Sequence, residues 1–260
     1  MRLSVSKKRQ LCCACLSDPG RKRAGNEDAW HADPERGLFL VADGMGGLSA
    51  GEVASRAVAE ELPKALLAAL CGLPRAGGSA AQEAVKAALA AFSDDLRGRS
   101  LQDPRLRGMG STVVLALFHG AGAIIANLGD SRAYLLDKGR LQRLTHDHNL
   151  LAMLLDLKKI SAEEAAGHPA RNRLTRYMGM ETRAVADVRL LRCKGSGRLL
   201  LCSDGLTGMV PDERIREVLL REARPQEACQ ALVEAANAAG GDDNITAMVV
   251  DWSPAGRNAP

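Results

Sequence analysis

The chain has 260 residues, 46% of them hydrophobic, which is enough to bury the core of one large domain or two small ones. The net charge is only +4 and the basic residues are scattered, which excludes the clustered basic surface that a nucleic-acid partner requires. Seven cysteines at irregular spacing indicate a reducing, cytoplasmic compartment rather than a disulfide framework, and no apolar run is long enough to span a membrane.

The first half of the chain is predicted to combine short strands with two long helices. Residues 1–10 are basic and polar, and we expect them to be flexible. The predicted strands are 11–17, 28–33 and 37–43. The predicted helices are 49–71, with Ser49 as N-cap, and 80–99. Pro63 is expected to kink or break the first of these helices.

From Gly110 onward the pattern is mainly that of strands. The predicted strands are 111–120, 122–129, 131–139, 140–146, 187–193, 198–203 and 244–252. Two helices are predicted at about 212–222 and 225–239. Residues 148–180 have a helical, polar pattern without a strong apolar stripe, which predicts a flap inserted between core elements.

The order of these elements favours one domain. We find no internal repeat and no low-complexity linker, so the domain is predicted to cover 11–252, with a flexible tail at 253–260. The helices come in two batches and the strands pair locally, which is typical of an α+β layered sandwich.

Three apolar stretches end at an aspartate beside a glycine-bearing turn. They are LFLVADGMGG with Asp43, LLLCSDGL with Asp204 and GGDDNITAMVV with Asp243. Any one of them is consistent with a structural turn. A carboxylate at the end of a buried strand loses water, however, and three such choices indicate a shared cation. Hard dications such as Mg²⁺ or Mn²⁺ prefer oxygen ligands of this kind.

Six motifs occur in an order that resembles the bacterial metal-dependent protein phosphatases, the PPM or protein phosphatase type 2C family. They are RAGNED, DGMGG, GSTVV, NLGDSRAYLL, CSDGL and GDDNIT, within residues 12–251. The resemblance implies a four-layer α-β-β-α sandwich, in which two central antiparallel sheets are flanked by helix pairs, with a flap insertion.

The resemblance also implies a set of metal ligands. Asp43 would bridge two ions, and the Gly44 carbonyl would also coordinate. Glu27 would help to hold one ion, largely through water, and Asp204 and Asp243 would hold the other. Two dications neutralise a phosphate monoester and turn a bridging water into a hydroxide near neutral pH, and we expect this hydroxide to attack in line.

Three further roles follow from the same resemblance. Asp28 would lie beside the metal shell and orient waters, and Asp130 with Asp204 would hold a third, weaker ion. Arg23 would bind phosphate, because its planar fork can grip two oxygens at once. Met45 stands where eukaryotic relatives carry a histidine proposed as general acid, so the proton donor is unidentified.

Other residues admit a second interpretation. His146 and His148 could form a metal pair, although a structural role is favoured. Ser111 and Thr112 are predicted to lie in a buried strand rather than to act as nucleophiles. The basic segment HPARNRLTR (168–176) in the flap is either a solvated surface or a contact for acidic or phosphorylated polypeptide. Arg198 is expected to do no more than reshape the neighbouring turn.

The favoured function is Mn²⁺- or Mg²⁺-dependent hydrolysis of phosphoserine and phosphothreonine in proteins, by a cytoplasmic monomer that opposes a bacterial serine/threonine kinase. One alternative is a phosphoprotein-binding module that has lost the chemistry, but the expected ligands are all present. The other is a nuclease or phosphodiesterase with two metals, which should show a basic groove and histidine ligands.

Overall fold

The computed structural model describes residues 9–46, 50–73, 78–119, 122–165 and 168–254, and it consists of two sheets between layers of helices. The strands are β1 (Gln10–Asp18), β2 (Asp28–Asp33), β3 (Leu38–Met45), β4 (Gly110–Ser111), β5 (Val113–His119), β6 (Gly122–Leu128), β7 (Arg132–Asp137), β8 (Arg140–Arg143), β9 (Asp187–Arg192), β10 (Gly197–Cys202) and β11 (Ile245–Ser253). The helices are α1 (Ala50–Ala69), α2 (Ser79–Gln102), α3 (Leu150–Asp156), α4 (Ala162–Ala165), α5 (Asp204–Thr207), α6 (Asp212–Arg221) and α7 (Pro225–Ala238).

Both sheets are antiparallel. Within the described residues, one has the strand order β1-β11-β10-β7-β8, and the other has the order β2-β3-β5-β6-β9, with β4 paired to the end of β3. Side chains alternate across each strand, so Leu38 and Leu40 face α1 and α2, whereas Phe39 and Val41 face the second sheet. The other sheet packs on α6 and α7 through a separate apolar cluster. These layers confirm the predicted four-layer α-β-β-α sandwich.

Several predicted boundaries were wrong in detail. Helix α1 continues through Pro63, which is itself buried, so the predicted break is absent. The strand predicted at 111–120 is interrupted at Thr112, and the strand predicted at 140–146 ends at Arg143. Strands β1 and β11 each run one residue beyond the expected domain limits, since Gln10 pairs with Ser253. The predicted N-cap Ser49 lies outside the described residues.

The flap differs from its predicted polar, helical character. Its first helix, α3, has the apolar sequence LLAMLLD, and only the short α4 follows it before residues 168–180, which are largely irregular. Two isolated bridges, Ser111 with Met178 and Asn149 with Leu174, join this return segment to the core and to the start of α3. None of the described helices has the length and apolarity needed to cross a membrane.

Arg198 does more than reshape a turn. It donates two hydrogen bonds to the Asp251 carboxylate, both of 2.7 Å. It also donates to the carbonyls of Leu219, Glu222 and Ala223, at 2.8, 2.5 and 2.6 Å. The carbonyls at the C-terminal end of a helix lack partners within the helix, so Arg198 fixes the end of α6 to the sheet.

The Arg198→Ala substitution should therefore destabilise the protein by about 3 kcal/mol, because Asp251 and three carbonyls lose a shared partner. Arg198→Lys should recover only part of this, since an ammonium cannot reproduce the fork. Urea unfolding followed by circular dichroism measures the effect. Arg105→Ala, which removes an exposed ion pair with Asp103, is the control and should leave the midpoint unchanged.

Candidate active site

The acidic residues singled out from the sequence meet where the two sheets end. Asp28 and Asp43 are directly opposite each other in the β2–β3 ladder, so their side chains lie on the same face. Asp204 is the first residue of α5 and is separated from the end of β10 by Ser203, and Asp243 precedes β11. Because β10 and β11 are neighbours, their two carboxylates come from the same end of the second sheet.

These carboxylates repel one another. The pKa of Asp43 is raised well above its usual range by burial and then by the charges of four other aspartates, namely Asp28, Asp204, Asp130 and Asp243. Burial raises the pKa of Asp28 to about 7 and that of Asp130 to about 8. The pKa of Asp204 is raised by burial and by Asp243, although a hydrogen-bonding contact with Asp43 acts in the opposite direction. Bringing such groups together costs free energy unless a positive charge joins them.

Two buried carboxylate oxygens have no hydrogen-bond partner among the described residues. One oxygen of Asp28 accepts from Ser203 Oγ at 2.7 Å and from Thr246 Oγ1 at 2.6 Å, but its other oxygen, Oδ1, accepts from none of them. Asp204 Oδ1 is also buried and also lacks a hydrogen-bond partner among the described residues. Buried acceptors are normally satisfied, so these two atoms indicate a donor or a cation between the sheets.

Glycines allow Glu27 and β3 to approach helix α1 closely. A Cβ on Gly44 would lie 2.1 Å from the Gly51 carbonyl oxygen, so no larger residue fits there. A Cβ on Gly51 would lie 2.8 Å from Oε1 of Glu27, so the Glu27 carboxylate packs against the start of α1. The Gly44 amide donates to the Glu27 carbonyl at 3.1 Å. Burial raises the pKa of Glu27.

Arg23 lies at the rim of this cluster. Its side chain is 51% exposed and donates to Asp243 Oδ2 at 2.7 Å. Asn244 fixes the loop that carries Arg23, because its amide donates to the carbonyls of Pro19 and Gly25 and its oxygen accepts from the Glu27 amide. Asn244 lies in the motif GDDNIT but was not predicted to be a site residue.

Asp130 is buried beside the flap. Asn149 Nδ2 donates to Asp130 Oδ2 at 3.3 Å, and Asn149 Oδ1 accepts from the Ala152 amide at 2.9 Å, so Asn149 caps α3 while it contacts Asp130. A cavity of about 290 Å³ lies next to this pair, and Asp130 and Asp204 line it together with residues of α3. Asn149, Ser203 and Thr246 were missed from the sequence because nothing local marks their distant acceptors.

His146 and His148 are not placed as a metal pair. His148 is buried, with Nδ1 accepting from the Gly129 amide at 3.2 Å and Nε2 lying 3.3 Å from Asp187. His146 Nε2 is 2.8 Å from Asp156. Each ring therefore has its own carboxylate.

Thr112 and Ser111 are buried, as predicted. Thr112 Oγ1 accepts from the Asp43 amide at 3.0 Å and contacts Ser131 Oγ at 2.7 Å. Ser111 Oγ donates to the Asp43 carbonyl at 3.1 Å. Their hydroxyls therefore fix the backbone of Asp43 and are not presented as nucleophiles.

The arrangement fits hard dications that keep much of their water. Within the described ranges, no three His, Cys, Asp or Glu side chains are placed to enclose an ion by themselves. The carboxylates are nevertheless close enough that the charges of four of them add to burial in raising the pKa of Asp43, and one buried oxygen each on Asp28 and Asp204 lacks a hydrogen-bond partner among the described residues. Mg²⁺ and Mn²⁺ suit such a donor set, because waters complete their octahedral shell.

Comparison with known proteins gives concordant matches. The model of the family described as protein phosphatase 2C matches residues 21–247. The serine/threonine phosphatase Stp of Listeria monocytogenes is 36% identical over 248 residues, which are 94% of this chain and 97% of that protein. PstP, a serine/threonine protein phosphatase of Mycobacterium tuberculosis, is 38% identical over 92% of this chain and 44% of its own length. The solved catalytic domain of PstP in complex with two manganese ions has a TM-score of 0.78 and 36% identity, covering 95% of this chain and 100% of that domain.

The carboxylate cluster predicts a stability effect that depends on metal. Asp43→Asn removes one of the repelling charges, so in EDTA the variant should melt about 2–4 °C above the wild type. Added Mn²⁺ should raise the melting temperature of the wild type and leave that of the variant almost unchanged.

Differential scanning fluorimetry in the two buffers provides the measurement, and Asp137→Asn at the exposed end of β7 is the matched control. A variant that melts below the wild type in EDTA and still gains the full Mn²⁺ shift would contradict the interpretation of the cluster.

Proposed function

The chain belongs to the protein phosphatase 2C family of metal-dependent protein serine/threonine phosphatases, and we propose that it dephosphorylates phosphoserine and phosphothreonine residues in opposition to a serine/threonine kinase. The observation that carries the proposal is the set of buried, mutually repelling carboxylates with two oxygens that lack partners. Mn²⁺ or Mg²⁺, when bound, neutralises the charge of a phosphate monoester and lowers the pKa of water. A single chain is proposed to suffice, because it supplies every residue of the site.

Each acidic residue has a proposed ligand role. Asp43, whose pKa is raised by burial and by the charges of the other aspartates, would bridge two ions, and the Gly44 carbonyl would also coordinate. Glu27 would hold one of these ions, largely through water, from its position against α1. Asp204 and Asp243, from the adjacent ends of β10 and β11, would hold the other.

Asp28 and Asp130 support these ligands. The hydroxyls of Ser203 and Thr246 fix one oxygen of Asp28, which leaves Oδ1 to orient waters. Asp130 lines the same cavity as Asp204, and the two would share a third, weaker ion.

Arg23 is the proposed phosphate-binding residue. One of its terminal nitrogens donates to Asp243, and the side chain is half exposed, so the rest of the guanidinium can reach a phosphate from solvent. The planar fork suits two phosphate oxygens. Holding a phosphate against the carboxylate cluster orients it for attack by water.

Removal of metal should abolish activity. Hydrolysis of p-nitrophenyl phosphate and of a phosphothreonine peptide should require added Mn²⁺ and stop in EDTA. Asp43→Asn and Asp204→Asn should each lower kcat by about 100-fold or more, because the metal loses a charged ligand. Phosphate release measured against Mn²⁺ concentration tests both points. Robust turnover by Asp43→Asn would remove Asp43 from its bridging role, and turnover of a dinucleotide instead of the peptide would overturn the proposed substrate class.

Substitution of Arg23 should act mainly on substrate binding. Arg23→Ala should raise KM for both substrates about tenfold, and Arg23→Lys should recover little of this loss, since a lysine cannot make the bidentate contact. The neighbouring Lys22 forms an equivalent surface pair with Asp242, also at 2.7 Å, so Lys22→Ala is the matched control. Equal KM values for Arg23→Ala and Lys22→Ala would eliminate Arg23 as the phosphate ligand.

A further inference from the structure

Helix α3 is an apolar surface without a buried residue. Its seven residues include four leucines and a methionine, yet none of them is buried. Met153 is 42% exposed and the adjoining Leu157 is 59% exposed. Amphipathic helices normally bury their apolar stripe, so α3 lacks a packing partner for part of its surface within the described residues.

The apolar residues of α3 fall on three faces at helical spacing. Leu150 and Leu154 form one face, and the Leu150 amide donates to the Arg173 carbonyl of the flap. Met153 and Leu157 form the outer, exposed face. The third pair, Leu151 and Leu155, lines the cavity of about 290 Å³ next to the carboxylate cluster.

The charged groups of that cavity are mostly paired with one another. Arg132 makes two hydrogen bonds to Asp147, at 3.0 and 2.7 Å, and Arg143 also contacts Asp147. His146 lies 2.8 Å from Asp156. These pairs satisfy much of the polar wall, which also includes Asp130, Arg171 and Asp204. Leu151 and Leu155 form the apolar part of the lining, here called the leucine wall.

The leucine wall is continuous with the proposed active site. Asn149 joins the first turn of α3 to Asp130, and Asp204 lines the same cavity as Leu151 and Leu155. A phosphorylated residue held at the carboxylates would therefore place its sequence neighbours beside α3. In the basic part of the flap, Arg176 donates to Asp187 and to the Val185 carbonyl, whereas Arg171 lines the same cavity as the two leucines.

We propose that Leu151 and Leu155 bind an apolar side chain close in sequence to the phosphorylated residue, so that the enzyme selects phosphoproteins with an apolar flanking residue. The proposal rests on the proposed function and names its substrate class. It assigns the preference for a flanking residue to the leucine wall, which shares its cavity with Arg171 of the basic flap segment.

The test uses phosphothreonine peptides in which one leucine is moved through the three positions before and after the phosphothreonine of a serine-rich parent. At one or two positions, leucine should raise kcat/KM about tenfold over the parent peptide. Leu151→Ala combined with Leu155→Ala should reduce that advantage to about twofold, and it should leave turnover of p-nitrophenyl phosphate unchanged. Alanine is chosen because it favours helix, so α3 is preserved.

The matched control combines Met153→Ala and Leu157→Ala on the outer face, and it should keep the full preference. The proposal is overturned if no leucine position exceeds the parent peptide, if both double variants lose the preference equally, or if the inner pair also loses turnover of p-nitrophenyl phosphate. Failure of the wild type to hydrolyse any phosphopeptide or p-nitrophenyl phosphate would instead overturn the proposed function itself.

Discussion

The repulsion between carboxylates at the end of the sandwich is the constraint on which the rest of the structure depends. Like charges directly opposite each other in a ladder destabilise a sheet, and Asp28 and Asp43 occupy such a position. The fold offsets part of this cost with the hydroxyls of Ser203 and Thr246, which both donate to the Asp28 carboxylate. The remaining repulsion lowers the stability of the metal-free protein, and in the proposed function a bound cation removes it.

The two-sheet core is what makes such a cluster possible. Asp28 and Asp43 come from one sheet and Asp204 and Asp243 from the other, so the site exists only where the sheets are packed together. The layer between the sheets is apolar, with Phe39, Val250 and Trp252 among its buried residues. A rigid interior of this kind holds carboxylates from distant parts of the chain in a fixed relation, as the proposed metal site requires.

The sequence predicted the elements whose pattern is local, and it failed where distant packing decides. Strand β3 was recognisable from its apolar run, and the aspartates from the glycine turns beside them. Pro63 does not end α1, because it lies in the buried face of that helix, where packing outweighs the lost hydrogen bond. Helix α3 has only seven residues, so its apolar run does not outweigh the polar pattern of the surrounding flap sequence, and the apolar helix was not predicted. The Thr246–Asp28 contact joins residues 218 positions apart, so no local signal announces it.

The flap is attached to the site firmly at its root and loosely elsewhere. The His148 amide donates to the Gly129 carbonyl, and His148 Nδ1 accepts from the Gly129 amide. The His148 carbonyl accepts from the Thr175 amide on the return segment, so both ends of the flap meet at one buried residue. By contrast, α3 has no buried residue, and changes on its surface therefore cost little stability. Substitutions on α3 therefore disturb the packed core less than substitutions of the carboxylates, which are held by long-range contacts in the core. On the two proposals, the chemistry lies on the rigid sheets and the selectivity on the weakly packed helix next to them.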